Sequence, residues 1–199
     1  MKIIGVTGTT GSGKSTFCRL LSKYGIKVID CDKIYNDVTL KNEDCLSKLK
    51  ENFPVAVDGD GNLNKKKLSA IVFSNKDKLQ LLNDITHPFV LETIGDMIKE
   101  YAFSHEKAVV VDIPLLFESG FDKKCDVTVA VIAPYEKKLL RLKERSKLSE
   151  EEISLRLQKQ KNEEFLKNNC NFVVENDSDI ESLEKKAADF FKNVLLESI

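Results

Sequence analysis

The chain has 199 residues, a hydrophobic fraction of 42% and a formal net charge of −1. This is enough apolar material for one compact domain with a core of its own. Because the charges are balanced in sign and no apolar run approaches the length of a bilayer span, we expect neither a nucleic-acid partner nor a membrane partner.

The cysteines indicate neither a disulfide scaffold nor a zinc site. They are scattered along the chain as Cys18, Cys31, Cys45, Cys125 and Cys170, with no C-x-x-C pair among them. An odd, dispersed set favours reduced thiols, and we therefore expect a cytoplasmic protein.

Short β-branched runs alternate with helical patterns along the chain. We predict strands at residues 2–6, 26–29, 108–111, 127–132 and 172–175, and helices at 15–23, over most of 33–101, at 135–145, at 149–167 and from 178 onward. This alternation predicts βαβ units, and hence an α/β fold with a five-stranded, mostly parallel sheet covered by helices on both faces.

Local signals refine some of these boundaries. Residues 149–152 and 178–181 each have a serine followed three residues later by a glutamate, the pattern of a capping box at a helix start. The turn cluster at 58–62 predicts a hairpin tip. A helix is predicted to end within 83–88, because the residue before a proline disfavours the helical region.

A glycine-rich loop follows the first predicted strand and fits the pattern G-x-x-x-x-G-K-[S/T]. Its glycines let backbone N–H groups converge on phosphate oxygens, and the helix that follows adds its positive end. We expect Lys14 to reach the β and γ phosphates of ATP and Ser15 to hold Mg²⁺ through its hydroxyl; an ordinary glycine-rich turn is the alternative. The loop consists of Gly8, Thr9, Thr10, Gly11, Ser12, Gly13, Lys14, Ser15 and Thr16.

Three aspartates at the carboxyl ends of predicted strands are candidates for chemistry. Asp112 closes an apolar strand, where P-loop proteins place a magnesium ligand, although a strand-ending turn residue is the alternative. Asp30 and Asp32 follow another strand, and their spacing of two puts both side chains on one face. A carboxylate there can accept the proton of an attacking hydroxyl, while a helix N-cap or a turn is the alternative for each.

GTPases share this loop, but two further elements of that class are missing. A D-x-x-G element starting at Asp112 requires glycine where this chain has Leu115. The nearest approach to N-K-x-D has Lys78 in place of the second acid. The GTPase interpretation therefore fails.

Two predicted helices carry polar and basic residues at helical spacing. Arg141 and Arg145 are four residues apart, and Arg156 and Gln160 repeat that spacing on the next helix. Such helices, joined by a polar turn, are typical of a lid that closes over a triphosphate, where arginines neutralise developing charge. A solvated basic surface is the alternative.

Taken in order, these motifs resemble those of the dephospho-coenzyme A kinases over nearly the whole chain. The resemblance rests on the Asp-x-Asp pair, on residues 68–73, on His87-Pro88, on the run 112–118 and on the R-x-x-x-Q spacing. It implies a three-layer core at about residues 1–34, 102–135 and 168–199, a helical acceptor subdomain at 35–101 and a small helical lid at 136–167. It further implies phosphorylation of the ribose 3′-hydroxyl of dephospho-coenzyme A by ATP with Mg²⁺, the final step of coenzyme A synthesis.

The resemblance also implies roles for individual residues. Asp32 would act as general base, while Lys14 and Arg141 would neutralise charge on the transferred group. Arg141, Arg145 and Asn176 would join the loop in binding the nucleotide. The residues facing the acceptor would be Asp32, His87, Pro114, Leu115, Leu116, Phe117, Glu118, Arg156 and Gln160. A helix-ending role for His87 and a core position for the apolar residues among 115–117 are the alternatives.

The chain departs from the family pattern at four places: Thr9-Thr10, the stretch after Val38, Asn64-Lys65 in place of an Asp-Arg pair, and Ser146 in place of an aspartate. Thr9 and Thr10 stand where the family commonly has glycine and isoleucine, and we expect little effect because backbone donors cradle the phosphates. A proline- and glycine-containing stretch after Val38 is missing, which bears on acceptor contacts.

Two rival functions stay open at this point. The first is a related kinase acting on a nucleoside or nucleoside monophosphate, against which the run 114–118 argues. The second is a nucleotide-binding regulator without catalysis, against which Asp32, Arg141 and Arg145 argue. We expect a monomer or a weak homo-oligomer.

Overall fold

The structure is a computed structural model that describes residues 1–145 and 162–196. The strands are β1 (Lys2–Thr7), β2 (Lys27–Asp30), β3 (Ala108–Asp112), β4 (Val127–Ile132) and β5 (Phe172–Glu175). The α-helices are α1 (Lys14–Ser22), α2 (Cys31–Lys41), α3 (Glu43–Asn52), α4 (Lys65–Phe73), α5 (Lys76–Phe103), α6 (Tyr135–Arg145), α7 (Glu163–Asn169) and α8 (Ile180–Phe190). Short 3₁₀ turns lie at Pro54–Ala56 and Phe121–Lys124, and a π-helical turn lies at Phe191–Leu196.

The five strands form one sheet in the order β2-β3-β1-β4-β5, which confirms the predicted five-stranded parallel sheet. β1 is central, and its register pairs Val6 with Asp112 of β3 and Thr7 with Ala130 of β4. The strand order therefore reverses at the carboxyl end of β1. Open α/β sheets bind their ligands at such a switch point.

Apolar side chains on the two faces of the sheet create three layers. On one face, Val129 of β4 packs in a cluster with Phe17 of α1 and Leu183 of α8. On the other face, its neighbour Ala130 packs with Leu166 of α7. Because successive side chains of a strand point to opposite faces, helices cover the sheet on both sides, as the sequence predicts.

The chain divides into two compact units. The first combines Met1–Ile29 with Glu100–Ile199 and contains the strands and the helices packed on them. The second is Asp30–Lys99, which is built from the helices α2 to α5. Cys45 and Leu49 of α3 are completely buried within this second unit, so it has apolar packing of its own.

The predicted hairpin tip is present in the second unit. Val57 and Leu63 form an antiparallel bridge on either side of it. Between them, the carboxylate of Asp58 accepts hydrogen bonds from the backbone N–H groups of Asp60 and Asn62 at 3.0 and 2.8 Å. Such a side-chain-to-backbone turn explains why aspartate and glycine cluster at this point.

The predicted helix end before Pro88 is wrong, because α5 continues through this proline to Phe103. The reason is a buried stripe that continues on both sides of Pro88 and outweighs the local preference, since helices in proteins are stabilised mainly by packing of one face. The stripe consists of Leu82, Thr86, Val90 and Ile94. Although α5 has 28 residues, neither it nor any other described helix is long and apolar enough to cross a membrane.

Two further helix predictions need correction, one in its continuity and the other in its starting residue. The box at 149–152 lies outside the described residues, but Asn162 has an extended backbone and caps α7, so no single helix runs through to 167. The last helix is capped by Asp179, which accepts a hydrogen bond from the N–H of Ser182, and not by Ser178. Asparagine, aspartate and serine are about equally good N-caps, so neighbouring candidates cannot be ranked by residue type alone.

Candidate active site

The glycine-rich loop occupies the switch point between β1 and α1. Gly13 is the N-cap of α1, with φ of 94° and no side-chain hydrogen bond to the first turn. A Cβ atom at this position would lie 2.2 Å from Nδ2 of Asn176, so a side chain is excluded both by conformation and by space. The uncapped first turn of α1 leaves backbone N–H groups for an anion.

Two polar side chains hold the backbone carbonyls of this loop. Nδ2 of Asn176 donates to the carbonyl oxygen of Ser12 at 2.7 Å. The guanidinium of Arg141 donates to the carbonyl oxygens of Gly11, Ser12 and Asn176 at 3.2, 3.3 and 3.3 Å. These donors satisfy carbonyl oxygens that would otherwise repel phosphate, and they fix the loop for anion binding.

Lys14 and Asp112 form a buried ion pair beneath the loop. Nζ of Lys14 donates to Oδ1 of Asp112, and the two side chains are 10% and 5% exposed. The β1–β3 register explains the meeting, because Val6 near the end of β1 is paired with Asp112 at the end of β3. Asp112 is therefore a buried partner of the loop lysine and not a solvated turn residue.

The oxygen donors around the loop fit Mg²⁺. Ser15 is exposed at the start of α1, and Asp112 supplies a carboxylate at the adjacent strand end. Among the described residues no group of three or more His, Cys, Asp or Glu side chains is placed to hold a metal. Mg²⁺ suits such a site, since it keeps several waters and relies on one or two protein oxygens together with substrate phosphates.

Residues 114–118, which follow β3, include both exposed and buried side chains. The carbonyl oxygen of Pro114 accepts a hydrogen bond from the hydroxyl of Thr7 at 3.2 Å. Leu115 and Glu118 are exposed, and they share a small pocket with Pro114 and the start of the loop. This places part of the run beside the phosphate loop, as a contact with a bound substrate requires.

Leu116 and Phe117 are less suited to the predicted acceptor contact. Leu116 is completely buried, so its side chain has no surface for a ligand, and the core alternative is correct for it. Phe117 packs edge-on against Phe165 of α7, with the ring centroids 5.2 Å apart. Both side chains support the site by packing.

Asp30 and Asp32 in the helical unit differ in their surroundings. The carboxylate of Asp30 caps α2 by accepting from the N–H of Lys33 at 3.0 Å, so the N-cap alternative is correct for Asp30. Asp32 is exposed in the first turn, and Nδ2 of Asn36 donates to its backbone carbonyl at 2.9 Å. Its carboxylate has no bonded partner within residues 1–145 and 162–196, which leaves it accessible to a substrate.

His87 lies inside α5 and is half-buried. Burial lowers its pKa, and the charge of Asp84 acts weakly in the opposite direction. One turn of α2 away from Asp32, Tyr35 has its pKa raised by burial and shares a hydrogen bond with Thr86. A neutral His87 can accept a hydrogen bond from a substrate hydroxyl or donate one to a carbonyl.

Three further predicted residues cannot be placed in the site. Arg145 is the last residue of α6, and only its backbone is described. Arg156 and Gln160 lie outside the described residues.

Lys138 is a further residue at the loop, and no sequence motif indicated it. This residue is 7% exposed, and its Nζ lies 2.6 Å from Oε1 of Glu163 and 3.4 Å from Oγ1 of Thr9 in the loop. The only signal is its spacing of three residues from Arg141, which puts both on one face of α6.

These features define a P-loop kinase. The parallel sheet carries a glycine-rich loop with a lysine at its switch point, the adjacent strand supplies the aspartate that pairs with this lysine, and basic side chains contact the loop. The sequence model of the family described as dephospho-CoA kinase matches residues 2–182. The chain belongs to the dephospho-CoA kinase family.

Individual relatives support this assignment along the full length. The chain is 40% identical over 196 residues to the dephospho-CoA kinase of Fusobacterium nucleatum, covering 96% of this chain and 98% of the relative. A solved structure from Thermus thermophilus superposes with a TM-score of 0.83 at 35% identity, covering 97% of both chains. The dephospho-CoA kinase of Campylobacter jejuni superposes with a TM-score of 0.73 at 27% identity, covering 99% of this chain and 98% of that one.

Proposed function

We propose that the chain transfers the γ-phosphoryl group of ATP to the ribose 3′-hydroxyl of dephospho-coenzyme A, giving coenzyme A and ADP. The observation that carries this proposal is the braced phosphate loop with its buried Lys14–Asp112 pair, in a chain that the family matches over residues 2–182. A bond forms between the acceptor oxygen and the γ-phosphorus, the bond from that phosphorus to the β–γ bridging oxygen breaks, and the acceptor proton leaves.

Lys14 and Arg141 carry the positive charge that this transfer needs. Both side chains already lie at the loop, so little reorganisation is required when charge develops on the phosphoryl oxygens. Phosphate oxygens compete with Asp112 for the ammonium of Lys14, while Arg141 and Asn176 keep the loop carbonyls engaged. Arg145 is the third cation that we propose at the nucleotide.

Mg²⁺ is proposed to bind at Ser15, with Asp112 acting through a water molecule. When bound, it would neutralise charge on the triphosphate and so favour transfer of the γ-phosphoryl group. The hydroxyl of Ser15 is exposed and therefore able to reach a cation held mainly by phosphate and water.

Asp32 is proposed as the general base for the acceptor hydroxyl. It follows β2 by two residues, and ligands of parallel α/β sheets bind beyond the carboxyl ends of the strands. Its neighbour Asp30 is occupied as the helix cap, whereas the carboxylate of Asp32 is exposed. An accessible carboxylate can take the proton from the 3′-hydroxyl as the new bond forms.

We propose acceptor-binding roles for six residues besides Asp32. His87, Pro114, Leu115, Glu118, Arg156 and Gln160 form the set that we assign to the acceptor. Residues 35–101 are the proposed acceptor subdomain and residues 136–167 the proposed lid. Leu116 and Phe117 contribute through the packing beneath this surface.

An acceptor panel tests the reaction directly. Release of ADP from ATP with Mg²⁺ is followed in a coupled assay, with dephospho-coenzyme A, adenosine, AMP and no acceptor offered in turn. We expect release with dephospho-coenzyme A alone, and a product identical to coenzyme A by mass. Release with adenosine or AMP instead would retain the kinase and reject this acceptor, and silence with every acceptor would favour a nucleotide-binding regulator.

We also propose that the protein is cytoplasmic, binds no nucleic acid and is a monomer or a weak homo-oligomer. The five thiols, none joined in a disulfide to another described residue, and the balanced charge of the sequence support this. Light scattering after size-exclusion chromatography over a tenfold range of protein concentration tests the assembly state.

A further inference from the structure

Lys138 of α6 is a buried cation at the edge of the phosphate loop. Its side chain is 9% exposed, and Nζ is hydrogen-bonded to Oε1 of Glu163 at 2.6 Å. Glu163 is the first residue of α7 and is 29% exposed. Burying a lysine ammonium costs free energy unless a counter-ion is bonded to it in good geometry. The buried position of Lys138 therefore depends on its ion pair with Glu163.

The same ammonium reaches the first half of the loop. Nζ of Lys138 lies 3.4 Å from Oγ1 of Thr9, a residue that is itself only 6% exposed. Thr9 is one of the two positions at which the loop departs from the family pattern, and a glycine there would offer no hydroxyl. Lys138 therefore gives the Thr9 side chain a specific partner.

Other residues of α6 also pack against the loop beside this contact. A Cβ atom at Gly11 would lie 3.1 Å from the carbonyl oxygen of Lys138 and 3.1 Å from Cγ of Leu142. Arg141 donates to the carbonyl oxygens of Gly11 and Ser12 from the same helix face. Because residues three and four apart share a face, one side of α6 contacts the loop through Lys138, Arg141 and Leu142.

We propose that Lys138 is a positioning residue for ATP, acting through Thr9, with Glu163 as its counter-ion. Arg141 holds the second half of the loop, at residues 11 and 12, and Lys138 holds the first half, at residue 9. A loop fixed at both halves presents its backbone donors to the triphosphate without further ordering. This inference rests on the proposed binding of ATP at the loop, but not on the identity of the acceptor.

The test compares Lys138→Met, Thr9→Val and the double variant with the wild-type protein. Binding of ATP with Mg²⁺ is measured by calorimetry without acceptor, and kcat and both KM values are measured with dephospho-coenzyme A. We expect each single variant to weaken ATP binding by about tenfold, since hydrogen bonds to charged groups are of that strength. The double variant should also lose about tenfold, because both changes remove one contact.

Two variants serve as matched controls. Thr9→Ser keeps the hydroxyl and should therefore bind ATP more tightly than Thr9→Val does. Lys137→Met removes the same charge from the neighbouring position, where the ammonium contacts the carbonyl of Ser178, and should leave ATP binding within about twofold. The KM for dephospho-coenzyme A should stay within about twofold in all variants that fold.

Several results would overturn the inference. An unchanged ATP affinity in Lys138→Met, together with a lower melting temperature, would reduce the Lys138–Glu163 pair to a structural contact. If the double variant lost about a hundredfold in ATP affinity, the two single losses would multiply, and Lys138 would not act through Thr9. If Lys138→Met does not fold, the two Thr9 variants decide. Equal ATP affinities of Thr9→Val and Thr9→Ser would show that the hydroxyl is not needed, and the positioning role of Lys138 through Thr9 would be rejected. A wild type that binds ATP but does not use dephospho-coenzyme A would contradict the proposed function and leave this test intact.

Discussion

The ammonium of Lys14 is nine-tenths buried against the carboxylate of Asp112, so each side chain depends on the other for its charge to be tolerated. Removing one partner of such a pair leaves an uncompensated buried charge, whereas removing both charges does not. The pair therefore links phosphate chemistry to the stability of the sheet, since Asp112 is the last residue of a completely buried strand.

The variant Lys14→Met should lower the free energy of unfolding by about 3–5 kcal/mol, because Asp112 keeps a buried and unpaired charge. The double variant Lys14→Met/Asp112→Asn should recover part of that loss, while both variants lose phosphoryl transfer. Urea unfolding measures the stability. Equal stabilities of the single and double variants would show that the Asp112 charge is solvated without Lys14.

The variant Asp32→Asn should leave ATP affinity unchanged and lower kcat by about 10²–10⁴-fold, the range for a positioned base. Asp30→Asn is the control, since asparagine caps a helix as well as aspartate does and α2 should stay intact. Steady-state kinetics with both substrates measure the effect. Wild-type turnover in Asp32→Asn would remove this residue from the role of base.

Burial of His87 gives the stability a pH dependence. Its pKa in the folded protein lies below the ordinary value of 6.5, so below pH 6.5 the unfolded chain binds the proton more readily. The free energy of unfolding should therefore fall as the pH drops from about 6.5 through the lowered pKa. The variant His87→Asn should lack this component, and urea unfolding at pH 5 to 7.5 compares the two. Parallel pH profiles would show that burial does not perturb His87.

At the scale of the element, helix ends and long helices were the least predictable features. The strands β4 and β5 have the predicted limits because compact β-branched runs are local signals. The continuation of α5 through Pro88 depends on burial of Thr86 and Ile94 by other parts of the chain, which no local pattern reports.

The start of α8 offers a direct test of the corrected cap. The variant Asp179→Ala should cost about 1 kcal/mol of stability, because the N–H of Ser182 loses its acceptor. Ser178→Ala should have little effect, since this residue precedes the cap. Thermal unfolding of both variants measures the difference. The reverse order of effects would restore the start that the sequence predicts.

At the scale of the molecule, the loop was predictable from its own residues, whereas Asn176 was expected only through the family resemblance and Lys138 was not expected. Lys14 and Ser15 lie within a contiguous motif, so their spacing alone identifies them. Asn176 and Lys138 reach the loop from positions 164 and 129 residues away from their partners, and only the sheet order brings them there. Leu116 was assigned to the acceptor because it lies in the run 114–118, and its complete burial agrees with the core position that was the alternative.

Chemical labelling of two cysteines can report the unfolding of both compact units in one experiment. Burial raises the pKa of Cys125 to about 12, and Cys45 is completely buried in the helical unit, with its pKa also raised by burial. At pH 8 both should react with iodoacetamide only after opening, because the thiolate is the reactive form. Mass spectrometry of labelled peptides in increasing urea should follow Cys45 for one unit and Cys125 for the other. Rapid labelling without urea would contradict this burial.

The central position of β1 has a consequence for synthesis. β1 leaves the ribosome before the other four strands of its sheet, but its neighbours β3 and β4 lie more than 100 residues later, with Ile4 paired to Val110 and Val127. At a translation rate of about 5–20 residues per second, β1 waits roughly 5–20 s for its first partner. During that interval the contiguous segment Asp30–Lys99 emerges completely, so the helical unit is able to fold before the phosphate loop has a sheet to support it.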